Sequence, residues 1–172
     1  MKRTRPARIR AIAAVACLAG AGVLAAQEAP PPPRAIPGLT AEDQFPRACV
    51  SCHVNRTDIG LDVRLSTLMK QWYVEVPAAL AAKAQASAPA GVTLKARHPA
   101  ADSSLQDIPG RCLRCHGRNA RMAPPFAQLL HQIHLTGGAE NHFLTLFQGE
   151  CTYCHKLDQA TGKWSIPSGP EP

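Results

Sequence analysis

Cysteine and histidine carry the chemistry in this 172-residue chain, and they recur in one pattern. Cys49-Val-Ser-Cys52-His53, Cys112-Leu-Arg-Cys115-His116 and Cys151-Thr-Tyr-Cys154-His155 are three copies of C-x-x-C-H. Two thiols at this spacing lie about one turn apart and can add across the two vinyl groups of a porphyrin, forming thioethers. The histidine that follows then lies under the ring and offers an imidazole nitrogen to the iron. The motifs therefore predict three covalently attached c-type haems. Cys49, Cys52, Cys112, Cys115, Cys151 and Cys154 would form the thioethers, and His53, His116 and His155 would be the proximal iron ligands.

Other uses of C-x-x-C fit less well. A zinc ribbon needs two such pairs converging on one metal and no histidine after each second cysteine; three pairs would leave one stranded. A thioredoxin-like dithiol belongs beside a β-α-β pattern, which is missing here. The motifs use six of the seven cysteines, and the seventh, Cys17, falls in an apolar N-terminal stretch. No structural disulfide is expected in the mature chain.

Four further histidines, His98, His131, His134 and His142, decide what three such irons could do. An iron with histidine on both faces is coordinatively saturated and suits outer-sphere electron transfer. An iron with an open face can bind and transform a small molecule. His131 and His134, in Leu129-Leu130-His131-Gln132-Ile133-His134-Leu135, stand at i, i+3 on one helix face and could serve two adjacent haems. At this point the sequence resembles the class III and related small multihaem c-type cytochromes, whose H-x-x-H pairs supply distal ligands to two different haems ahead of a C-x-x-C-H. The resemblance covers the three attachment motifs and this pair; the 63-residue offset from Cys49 to Cys112 exceeds the spacing of the most compact members.

His98 precedes Pro99, which favours an extended or turning chain suited to a loop over a haem, and it is expected to be the third distal ligand. His142 could replace His98 or His131, or sit beside a ligand. Met69 and Met122 could ligate iron and raise its potential, but with histidines in surplus both read as packing residues. Arg111, Arg114, Arg118 and Arg121 flank the second motif as a solvated basic face, as partners of haem propionates, or as a docking patch for an acidic redox partner.

The elements that must position these residues read as short helices. Leu61, Leu65, Leu68, Met69, Trp72 and Val76 recur at spacings of three and four, predicting a helix over residues 62–76. Residues 77–92, alanine-rich after Pro77, read as a weakly packed helix or connector. Short turns are expected around the second and third motifs, over 103–118 and 148–157. Pro124-Pro125 and Gly137-Gly138 bound a helix over 126–136. Thr40 and Asp43 could cap a short helix leading into the first motif. No run alternates convincingly as a strand. Aromatic residues make up only 5% of the chain, so the core side chains alone are thin. The expected fold is mainly α with much irregular loop, its short helices wrapped around three covalently bound haems that form the core.

Residues 1–26 have a basic start (Lys2, Arg3, Arg5, Arg8, Arg10), an uncharged apolar stretch and small residues before Gln27. They read as a signal peptide, with an uncleaved membrane anchor as the alternative. The rest divides into a proline-rich linker (27–40), a trihaem domain (41–157) and an irregular C-terminal tail (158–172). Export implies a periplasmic location in a bacterium. Without the leader, fourteen basic and twelve acidic residues remain, net +2, so the pI of 9.3 gives no argument for nucleic acid binding. The reading as a whole is a periplasmic electron carrier, not an enzyme, relaying single electrons between periplasmic or membrane redox proteins. The competing readings are a haem reductase with one open iron and an electron-transfer or quinol-oxidising subunit of a larger reductase.

Overall fold

Short apolar periods separated by proline and glycine give short helices, and the computed structural model, which describes residues 31–171, bears this out. The signal peptide expected over 1–26 lies outside the described residues, as do residues 27–30 of the linker. In chain order the helices are α1 (Cys49–Cys52), α2 (Leu65–Val74), α3 (Ala78–Ala86), α4 (Leu113–His116), α5 (Phe126–Leu135) and α6 (His142–Thr145). Single 3-10 turns cover Asp102–Gln106, Gly138–Glu140 and Cys151–Tyr153. The mainly helical and irregular architecture expected from sequence is thus present. Thr40 and Asp43 cap no helix. The Thr40 hydroxyl accepts from the Ile36 amide, and the Asp43 carboxylate accepts from the Phe45 amide.

Two antiparallel ribbons depart from the expectation of no strands. β1 (Asn55–Arg56) pairs with β2 (Leu61–Asp62) just after the first motif. β3 (Lys156–Asp158) pairs with β4 (Lys163–Ser165) just after the third. The second ribbon corrects the reading of 158–172 as an irregular tail. Its turn is closed by the Asp158 carboxylate, which accepts from the amides of Ala160 and Thr161, and by Gly162 at φ 68°.

The last residues return to the body of the fold. The Ser168 hydroxyl accepts from the Val50 amide (3.3 Å) and donates to the Arg47 carbonyl (3.2 Å). Gly169 exchanges both backbone hydrogen bonds with Ile108. The Arg47 guanidinium donates to the Pro170 carbonyl at 2.6 Å, and Glu171 accepts from the Ser66 amide at 2.8 Å. This strap stitches α1 to the segment that leads into the second motif. Of the buried apolar residues among those described, Ala48, Val50 and Ile108 lie at the strap and Pro124 lies beside His116. A satellite cluster of Phe45, Phe143, Phe147 and Tyr153 rings, at centroid distances of 4.6 to 6.2 Å, packs beside α6. Elsewhere large apolar side chains stay open to solvent, Val74 and Met122 at 81% and Leu146 at 69%. Met122 is therefore not the packing residue its sequence context suggested. Among the described residues, no helix is long and apolar enough to cross a membrane.

Candidate functional site

Each histidine of a C-x-x-C-H motif faces one other histidine. The ring of His53 lies 6.3 Å from that of His134, centre to centre; His116 lies 5.9 Å from His98, and His155 lies 6.1 Å from His131. The fold thus brings together all three proximal candidates with three of the four spare histidines. His142 lies exposed at the start of α6 and belongs to none of these pairs.

Local structure explains how each partner is held. α5 carries both His131 and His134, and its register fixes their separation. The end of α5 is tied down by two side chains. Lys83 on α3 donates from Nζ to the carbonyls of Ile133 (3.0 Å) and Thr136 (2.9 Å). Asn141 donates to the same carbonyls at 3.0 and 2.7 Å and accepts from the Phe143 amide. A cation and an amide at a helix C-terminus satisfy carbonyls that have no partner within the helix. The segment read as a weakly packed connector is therefore what anchors α5. Buried Ser87 adds a second link, donating to the Lys83 carbonyl and making a long contact with that of Gln128.

His98 sits on an irregular segment moored to the end of α2. Its amide donates to the Trp72 carbonyl (2.8 Å), the Val76 amide donates to the Ala96 carbonyl (2.9 Å), and the Tyr73 hydroxyl accepts from the Ala101 amide (2.8 Å). The sequence reading missed Lys83, Asn141 and Tyr73 as supports. A lone lysine in an alanine-rich helix was the one available signal.

Four of the six paired rings have their orientation set by a backbone carbonyl. Nδ1 of His53 lies 2.8 Å from the Val63 carbonyl, that of His98 2.6 Å from Pro99, that of His116 2.7 Å from Pro124 and that of His134 3.0 Å from Leu130. A neutral imidazole that donates Nδ1–H in this way presents its Nε2 lone pair on the opposite side, the arrangement found in metal-ligating histidines. Burial lowers the pKa of His53, His98 and His134, the dominant cause in each case, which favours the neutral form that can ligate.

Burial raises the pKa of Cys52, Cys112 and Cys154, the last to about 11, and the charge of the Cys49 thiolate raises each further.

The paired rings fit an iron that brings its own equatorial ligands. A metal–nitrogen bond of about 2 Å, with the ring centre roughly 1.1 Å behind the nitrogen, puts two trans imidazoles about 6 Å apart, centre to centre. Three separations between 5.9 and 6.3 Å are compatible with that spacing. Two imidazoles are too few for a bare ion, and among the described residues no group of three or more His, Cys, Asp or Glu side chains could hold one. A porphyrin would supply the other four nitrogens. No family model matches the chain, and neither does any curated protein or solved structure.

Proposed function

We propose that this chain is a trihaem c-type cytochrome that transfers single electrons between redox partners outside the cytoplasm. The observation that carries the reading is the trio of histidine pairs, each joining a motif histidine to one distant in sequence at the separation expected of two axial ligands. His53 with His134, His116 with His98 and His155 with His131 would hold the three irons, and the six motif cysteines would anchor the rings.

When bound, each haem supplies a ferric/ferrous couple that gains or loses one electron. The chain's own residues have three tasks. The paired imidazoles would each offer a ligand to the iron between them, which would favour conduction over binding of a substrate and keep potentials low relative to methionine ligation. The carbonyls of Val63, Pro99, Pro124 and Leu130 hold ring tautomer and direction fixed, so little has to rearrange when charge changes. The helix α5 holds two of the ligands three residues apart and so would keep two irons neighbours. A reductase with an open iron has less support, because every motif histidine already faces an imidazole.

The thin protein core supports the same reading. Among the described residues, four buried apolar residues are too few to stabilise a domain of this length, and three apolar macrocycles would supply the missing interior. Mass spectrometry and visible spectroscopy of the exported holoprotein test the proposal together. The expected outcome is a mass increased by three haems, a shortened N-terminus and a wholly low-spin ferrous spectrum. Fewer than three haems, or high-spin signal in fully loaded protein, would overturn it.

A further inference from the structure

Arginines are distributed unevenly over this fold. Among the described residues, Arg34, Arg56 and Arg64 each reach a carboxylate, at 3.1, 2.8 and 2.6 Å, and Arg47 is taken up by the strap carbonyls. Arg97, Arg111, Arg114, Arg118 and Arg121 are all exposed, and no carboxylate of the described residues is in ion-pair range of them. Arg111 alone has a partner, donating to the Ser103 carbonyl at 2.8 Å. The segment 95–121 carries six basic and two acidic residues, net +4, whereas the rest of the chain after residue 26 has net −2.

In sequence, these arginines cluster around the two members of one histidine pair. Arg111, Arg114 and Arg118 flank Cys112, Cys115 and His116, and Arg97 adjoins His98, whose ring faces His116 at 5.9 Å. Two exposed apolar side chains, Leu113 (45%) and Met122 (81%), lie within the same stretch. We propose that this collar is the surface where an acidic redox protein docks, and that electrons enter or leave the chain beside the second motif. The inference rests on the haem reading above and names the partner's chemistry.

Propionates are the other anions such arginines could meet, but attachment chemistry argues against them. Thioethers form at the vinyl edge of the macrocycle, and the propionates leave from the opposite edge. Arg114, between the two cysteines, and Arg111, beside the first, are tied to the vinyl edge. Exposed apolar residues interspersed in sequence with exposed arginines match the makeup of a protein contact, in which arginine and methionine are enriched and charge steers the encounter. Electron-transfer encounters need only a small contact area, which a collar of this size can provide.

The test uses the mature holoprotein, after haem counting has established that three haems are bound; a failed count removes the haem reading before docking is examined. Hexacyanochromate(III), a redox-inert paramagnetic trianion, serves as probe for the anionic partner in NMR. At low ionic strength it should broaden the Met122 methyl signal well before that of Met69. Stopped-flow oxidation by hexacyanoferrate(III), which takes one electron and becomes hexacyanoferrate(II), should slow roughly tenfold or more as salt is added. The triple variant Arg114→Glu, Arg118→Glu, Arg121→Glu should lose both effects, and the corresponding triple lysine variant should keep them. Uniform broadening, or glutamate and lysine variants that behave alike, would overturn the proposal. So would co-sedimentation of the wild type with phosphatidylserine vesicles that the glutamate variant loses, which would assign the collar to a membrane surface.

Discussion

His131 and His134 stand three residues apart on one helix yet face different partners, His155 and His53. One ten-residue helix therefore governs two of the three histidine pairs, while the third depends on His98 in an irregular segment. The two arrangements respond differently to mutation.

Removing His98 should affect a single centre. In the holoprotein of His98→Ala, about one third of the haem is expected to become high-spin and to bind carbon monoxide in the ferrous state, with the rest staying low-spin. His142→Ala should leave the spectrum unchanged, because His142 faces no motif histidine. Visible and magnetic circular dichroism spectra of the two variants check this, and an altered spin state in His142→Ala would count against the pairing.

Axial ring planes should make the three centres electronically distinct. The interplanar angles are 87° for His53 and His134, 50° for His131 and His155, and 15° for His98 and His116. Crossed imidazole planes leave the iron d orbitals that overlap them nearly degenerate, and parallel planes split them. Ferric EPR should therefore show a strongly anisotropic low-spin signal beside an ordinary rhombic one. The rhombic signal should be the one that disappears in His98→Ala, and three identical signals would contradict these geometries.

The polypeptide without haem should not fold. Changing all six motif cysteines to alanine removes the attachment points, and the buried Ala48, Val50 and Ile108 cannot replace the lost interior. Circular dichroism of this variant is expected to show no cooperative melt. A near-native transition would refute the prediction.

Ser168, at 4% exposure, gives a local test of the strap. Ser168→Ala leaves the Val50 amide without its 3.3 Å acceptor in a buried place and should cost about 1–3 kcal/mol. Thermal denaturation of the holoprotein would register this as a lowered midpoint, whereas Ser165→Ala, on the exposed strand β4, should change little.

Sequence showed the local elements and left the long-range ones hidden. The α2 and α5 helices were visible because Leu65, Leu68, Met69 and Trp72 keep a helical period, and because proline and glycine pairs bracket residues 126–136. Their observed spans, Leu65–Val74 and Phe126–Leu135, fall inside the expected ranges. The choice of His98, His131 and His134 as the partner set came from counting and from the i, i+3 spacing. Which of them faces which motif could not be read, since those contacts span 18 to 81 residues of sequence. The β3–β4 ribbon was missed because three-residue strands alternate only once, although Asp158 and Gly162 carried the chemistry of its turn. The work of Lys83 stayed hidden because the carbonyls it satisfies lie 50 and 53 residues away.

The strap also sets an order of events. Ser168, Gly169 and Pro170 are synthesised after all three motifs, yet they join the first motif's helix to the approach to the second. Until they arrive, that junction stays open, and the cysteines on either side would remain accessible for the haem attachment proposed above. Closure by residues 168–170 thus acts as a latch, and a chain cut before Ser168 should leave this junction unlocked.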